Sequence, residues 1–310
     1  MNAPNKNKVF WIKLVFGLAL LLFILWKVRK SFLNSDFDEL DFTSNFVPFL
    51  VIVICLMPIN WLVESVKWHL LIQRIQPQSF WKTIRDVLAG VSTSLITPNR
   101  IGNFVGRTVN LPKDLKAKAI IATIHSNLAQ FISSICFGLI GLLFINLNQG
   151  FIESATVSWS GLLVLLVALF FYSYPKVLDV NPIAKMFSQQ TKDGIANIQE
   201  ASLPFKGLIL ILSMLRYAVF LSQFYLLLLC FQTDLIVAEI IPAIAVVFLI
   251  TTIIPSFLFG KLFVREASAL FVLIECGIPT PVILFTVFLL WMINLAVPSL
   301  IGGSILMRSK

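Results

Sequence analysis

Two stretches of this chain carry hydroxyls, a proline, a glycine and an arginine in the same order. The first runs from Ser94 and Thr97 through Pro98, Arg100 and Gly102 to Gly106 and Arg107. The second runs from Thr251 and Thr252 through Pro255 and Gly260 to Lys261, Arg265 and Glu266. In each, an arginine follows a glycine by five positions, Gly102 to Arg107 and Gly260 to Arg265. Proline removes a backbone donor and glycine weakens a helix, so both stretches predict a helix break. A break at membrane depth is tolerated where protein or water meets the freed backbone groups. Paired interruptions of this kind point to a substrate path in transporters. Free helix N-termini beside arginine bind phosphate. The alternative reading makes these cations ordinary loop residues on a positive membrane face.

Few other side chains qualify for chemistry. Asn60, Glu64 and Lys67 follow helical spacing and share a face. They read either as an interfacial salt bridge beside Trp61 and Trp68 or as one wall of a polar cavity. Thr123, Asn127, Gln130 and Ser134 form a stripe on a later helix, with Ser126, Ser133 and His125 alongside. Such a stripe faces protein or water, not lipid. Ser213, Arg216 and Gln223 share one side of another helix, where Arg216 either snorkels to the surface or holds an anionic group. The pattern contains no HExxH, no GxSxG and no Walker motif, so no catalytic residue, metal site or cofactor is expected, and ATP use by this chain is not expected. Cys55, Cys136, Cys230 and Cys276 are far apart and read as small helix-packing residues.

The elements that must position these residues are membrane helices. The chain has 310 residues, of which 58% are hydrophobic and only 13% charged, with a mean hydropathy of +0.91. A soluble domain carries about 25% charged residues. The expectation is an all-α, polytopic transmembrane bundle forming a single integral membrane domain over residues 1–310. A spanning helix needs roughly 20 apolar residues. Seven full spans are expected, at Val9–Trp26, Phe46–Val66, Ala119–Ile145, Val157–Tyr174, Gly207–Phe231, Leu235–Ile254 and Pro281–Met307. Two shorter apolar pieces, Val87–Ile96 and Leu262–Ile274, flank Pro98 and Pro255 and are read as broken or re-entrant helices.

The net charge of +9 resides in short loops, which argues for membrane orientation and against nucleic-acid binding. Lys67, Arg74, Lys82, Arg85, Arg107, Lys113, Lys116 and Lys118 fall on one side, joined later by Lys176, Lys185, Lys192, Lys206, Arg308 and Lys310. The opposite loops, such as residues 146–156 and 276–280, contain no lysine or arginine. Both termini are therefore expected in the cytoplasm. Lys27, Arg29 and Lys30 oppose this, but Asp36, Asp38, Glu39 and Asp41 follow them and leave that loop nearly neutral.

These residues together resemble the lysylphosphatidylglycerol synthase transmembrane family. The segment from Asn60-Trp61 to Lys67-Trp68-His69 resembles its second-helix segment. Ala89-Gly90 through Thr97-Pro98-Asn99-Arg100 and Gly102 to Arg107 resembles its first proline–glycine motif, and Pro255 through Gly260 to Arg265-Glu266 its second. The resemblance covers essentially the whole chain. Two departures stand out. Asn103 sits where the family often has an acid, and Phe257–Phe259 thins the second glycine pair. No aminoacyl-transferase domain follows in this sequence, so synthesis of a lysyl-lipid by this chain is not expected.

The resemblance implies movement of a phospholipid or lipid-linked anionic headgroup between leaflets of a bacterial inner membrane. The path would be lined by Arg100, Arg107, Lys261, Arg265, Glu266, Arg216, Glu64, Asn127 and Gln130. Pro98, Gly102, Gly106, Pro255 and Gly260 would shape its backbone. The implied partner is the lipid itself, with a separate synthase or a homo-oligomer as further partners. Two rivals remain open. An intramembrane lipid-linked transferase would need a converging titratable pair, for which Glu64 with His125 is the candidate. A scaffold subunit for a separate synthase would pack its proline motifs dry.

Overall fold

The computed structural model describes residues 42–95, 97, 101–149, 155–175, 177, 188–232, 234–254 and 260–308. Every regular element among them is helical. The expected first span and the acidic run at 36–41 lie outside the described residues. So do Pro98, Arg100, Pro255 and the side chain of Lys261.

The chain enters helix α1, Phe46–Gln73, and turns into α2, Phe80–Leu95. After the first proline motif comes the short α3, Gly102–Thr108, then the long α4, Lys113–Gln149. Helices α5, Ala155–Ser173, and α6, Gln189–Gln199, lead to α7, Leu203–Leu229. The second motif separates α8, Val237–Ile253, from α9, Gly260–Leu273. The last helical stretch is α10, Thr280–Trp291, and α11, Val297–Arg308, joined by a π-helical turn at Met292–Ala296.

Four stretches are long and apolar enough to cross a membrane: Phe46–Gln73, Lys113–Ile145, Leu203–Leu229 and Thr280–Met307. The helices at Trp159–Ser173 and Val237–Ile253 are apolar but shorter. Seven full spans is thus more than the described helices show. Helix α8 illustrates the shortfall: it covers Val237–Ile253, close to the expected Leu235–Ile254, but with 17 residues it is shorter than a full-length span. Conversely, α2 begins seven residues before the apolar run at Val87, because Lys82, Arg85 and Asp86 lie on its helical turns without ending it.

Helix α1 shows how a membrane helix sorts its faces. Ile52, Ile59 and Leu62 are exposed, while Asn60, Glu64, Lys67, Trp68 and Leu71 are buried. The buried set recurs every three to four residues, so one polar stripe runs inward on an otherwise apolar helix.

Glycines let the broken segments pack closely. A methyl group on Gly102 would overlap the Thr93 carbonyl oxygen, and one on Gly106 would overlap the Thr93 hydroxyl. Thr93 Oγ1 donates to the Gly102 carbonyl at 2.6 Å, and the Gly102 amide donates to Thr97 Oγ1 at 2.7 Å. The Gly102 amide at the start of α3 is thereby met by the Thr97 hydroxyl of the first motif, and the Gly102 carbonyl by Thr93 just before it. On the other side of α2, a methyl on Gly302 would overlap the Leu88 carbonyl. Helix α2 is wedged between α3 and α11 with no room for added volume. Gly138 and Gly141 serve the same purpose for α4 against α8, facing Leu249 and the Pro242 carbonyl.

Candidate functional site

The inward stripe of α1 meets cations from two distant helices. Arg107 on α3 donates from Nη2 to Glu64 Oε1 at 2.6 Å. Lys67, one turn along α1, approaches Glu64 Oε2 at 3.0 Å. Arg216 on α7 reaches the same oxygen at 3.3 Å. The Glu64, Lys67 and Arg107 side chains are 3%, 1% and 2% exposed, so this is a buried cluster and not an exposed surface pair. One carboxylate holds three cations away from water.

Neutral groups set the angles. Asn103 Oδ1 accepts from Arg107 Nε at 2.9 Å, and Asn60 Oδ1 accepts from Arg216 Nε at 2.9 Å. Lys67 Nζ donates to Ser213 Oγ at 3.1 Å. Asn60 Nδ2 in turn donates to Asn294 Oδ1 at 3.0 Å. Asn294 sits in the π-helical turn, a local distortion that often accompanies function. Arg216 lies against the rings of Trp61, at 5.1 Å, and Phe220, at 5.3 Å. It turns inward and does not snorkel.

Glu64, Arg107 and Arg216 face a cavity of about 360 Å³, within the size range of small-molecule sites. From the first motif come Ser94, Asn103, Phe104 and Arg107. From the second come Thr251, Thr252 and Arg265. Arg265 lies over the Phe248 ring at 5.6 Å. Helix α4 contributes Asn127, Gln130 and Ser134, with Asn127 exposed. The two motifs, about 150 residues apart in sequence, thus converge on one space. Buried Arg107 Nη1 has no hydrogen-bond partner, and neither has Gln130 Oε1. A buried donor without a partner is costly.

Among the expected site residues, Glu64, Arg107, Arg216, Arg265, Asn127 and Gln130 share this cavity. Gly102 and Gly106 shape the hairpin that carries Arg107. Glu266 is half-buried, makes contacts of its own and is not part of the wall. Gly260 opens α9 and so sets the start of the helix that bears Arg265. Several other hydroxyls of the α4 stripe are satisfied within the helix. Thr123, Ser133 and Ser134 donate to carbonyls one turn back in their own helix. His125 stacks on Tyr172 with ring centroids 4.2 Å apart and does not line the cavity, so Glu64 and His125 are not brought together as a pair.

Sequence reasoning missed Asn294, although a lone carboxamide inside the apolar run 281–307 was a usable signal. It also missed Thr93 and Gly302, whose importance depends on which helices meet. Among the described residues, no three metal-ligating side chains gather.

With this geometry in view, comparison with known proteins is informative. The pattern of the family described as Lysylphosphatidylglycerol synthase TM region matches residues 10–302. This chain belongs to that family. The family's membrane region accounts for nearly the whole sequence and includes every residue of the cavity wall. No curated protein matches the chain, and no solved structure does.

Proposed function

We propose that this member of the lysylphosphatidylglycerol synthase transmembrane family moves a phospholipid or lipid-linked anionic headgroup between leaflets of a bacterial inner membrane, with both termini cytoplasmic. The observation that carries this reading is the convergence of Arg107 and Arg265, one from each motif, on a single cavity with Arg216. An anionic headgroup would enter this cavity while its acyl chains stay in the bilayer. Arg107, Arg216 and Arg265 would hold the anion, aided by Arg100 and Lys261 from the motif segments. Asn127 and Gln130 would line the way in. Glu64 would keep the cations gathered when the cavity is empty. A cavity of this size fits a headgroup and not a whole lipid, as an open-sided path requires.

A leaflet-resolved scrambling assay in proteoliposomes tests the proposal, with labelled anionic and zwitterionic phospholipids. Wild type should move anionic lipid, and an Arg107→Ala/Arg265→Ala variant should not. Because Arg107 is buried in an ion pair, Arg265→Gln is run beside it as a variant that leaves the Glu64 cluster whole. Normal movement in both variants would refute the path.

A further inference from the structure

The charge of the cluster specifies more than an anion. Glu64 neutralises one of the three cations tied to it, Lys67, Arg107 and Arg216, which leaves two surplus positive charges in this cluster, and Arg265 adds a further guanidinium to the same wall. Asn103 orients Arg107 through a neutral carboxamide and removes none of that charge. Glu64 is the sole acidic side chain in the described wall. The motif stretches 98–100 and 255–259 contain no aspartate or glutamate. Asp86, the next carboxylate along α2, accepts a hydrogen bond from Gln78 at 3.0 Å and is not in the wall. Arg107 Nη1 meanwhile remains a buried donor without a partner.

Building on the proposed headgroup path, we infer that the preferred ligand is a lipid whose headgroup is a phosphate monoester, a near-dianion at neutral pH. Such a group carries about −1.5 to −2 charges and three acceptor oxygens. It would cancel both surplus charges of the Glu64 cluster and give Arg107 Nη1 an acceptor. A phosphodiester headgroup carries one negative charge and leaves one buried cation uncompensated. An aminoacylated headgroup adds an ammonium, and the sole carboxylate of the wall already holds three cations. Three of the wall's aromatic rings already carry a guanidinium, since Arg216 lies on Trp61 and Phe220 and Arg265 lies on Phe248. Two lipids carry the monoester chemistry, a diacylglycerol phosphate and a polyprenyl phosphate.

The test is equilibrium binding to the purified full chain in phosphatidylcholine nanodiscs. The probes are phosphatidic acid, polyprenyl monophosphate, phosphatidylglycerol and lysylphosphatidylglycerol, with scrambling of the same lipids measured in parallel. A monoester should bind at least about tenfold tighter than phosphatidylglycerol, the equivalent of one compensated charge at ~1.4 kcal/mol. Its affinity should fall as pH drops through the second phosphate pKa near about 6, whereas the diester affinity should not follow that titration. Arg216→Gln should narrow the gap between monoester and diester. Binding of phosphatidic acid alone, of polyprenyl phosphate alone, or of both supports the inference and identifies the lipid anchor. Equal binding of monoester and diester, or tighter binding of the lysyl-lipid, overturns it. Should phosphatidylglycerol be scrambled without any monoester preference, the inference falls and the lipid-moving reading stands. Should a monoester bind selectively while no lipid moves, the lipid-moving reading falls and the headgroup assignment stands.

Discussion

Arg107 and Glu64 meet at 2.6 Å across the junction of the first motif with α1, with both side chains at most 3% exposed. Glu64 also anchors Lys67 and Arg216, so three helices are tied at one carboxylate. Removing a single partner from such a buried set leaves charges with neither water nor counterion.

Glu64→Gln should therefore destabilise the protein by about 3–5 kcal/mol. Denaturant unfolding in a mild detergent would measure it. A loss of under about 1 kcal/mol, the scale of an exposed pair, would mean that water reaches the cluster.

Arg265→Gln should separate function from folding. Arg265 lines the cavity over the Phe248 ring, and its replacement leaves the Glu64, Lys67, Arg107 and Arg216 cluster in place, with thermal unfolding run on the same sample to report the fold. Lipid movement should slow by at least about tenfold, or ~1.4 kcal/mol in the barrier. Unchanged movement would remove the second motif from the path.

The helix hairpin of the first motif should reject added volume. Gly106→Ala drives a methyl group into Thr93 and the Ala89 carbonyl, and overpacking of this kind costs about 1–3 kcal/mol. Gly207→Ala is the control. Nothing lies within 4 Å of its added carbon, and alanine in a helix is favoured over glycine by about 1 kcal/mol. Thermal unfolding of the two variants should move in opposite directions.

Asn294→Leu should loosen Arg216 without touching it. The Asn60 amide would lose its acceptor at a cost of about 1–3 kcal/mol, and Asn60 is what aims Arg216. The expected result is lower stability together with weaker binding of anionic lipid. Full binding affinity in this variant would show that Asn60 aims Arg216 unaided.

Orientation is open to direct measurement. In a cysteine-free background, Gln73→Cys should label from the cytoplasmic side and Glu275→Cys from the opposite side. Both positions are exposed at helix ends. Reversed labelling would overturn the assignment of the lysine-rich face.

Much of the site was legible in the sequence, because helical spacing determines which side chains share a face. Asn60, Glu64 and Lys67 were recognisable as one stripe before any partner was known. The two proline–glycine motifs announced themselves by their breaks in apolar sequence. What stayed hidden depends on which helices become neighbours. Asn60 and Asn294 are 234 positions apart, and Arg216 and Asn60 are 156 apart. Nothing in local periodicity encodes those meetings. His125 illustrates the limit from the other side. It lies two residues from Asn127, yet it turns away from the cavity to stack on Tyr172. Span number was less legible, since a hydropathy window reports apolar composition and not helix length, and the apolar helix α8 has only 17 residues.

Helix α2 is locked on both sides, by Gly102 and Gly106 against α3 and by Gly302 against α11. The hairpin that carries Arg107 is consequently fastened to α11, a helix far away in sequence. Neither the segment before residue 150 nor the segment after residue 188 holds a complete set of headgroup contacts, for Glu64 and Arg107 come from one and Arg216 and Arg265 from the other. The two segments are therefore interdependent: neither half of the sequence, expressed alone, would assemble the cavity.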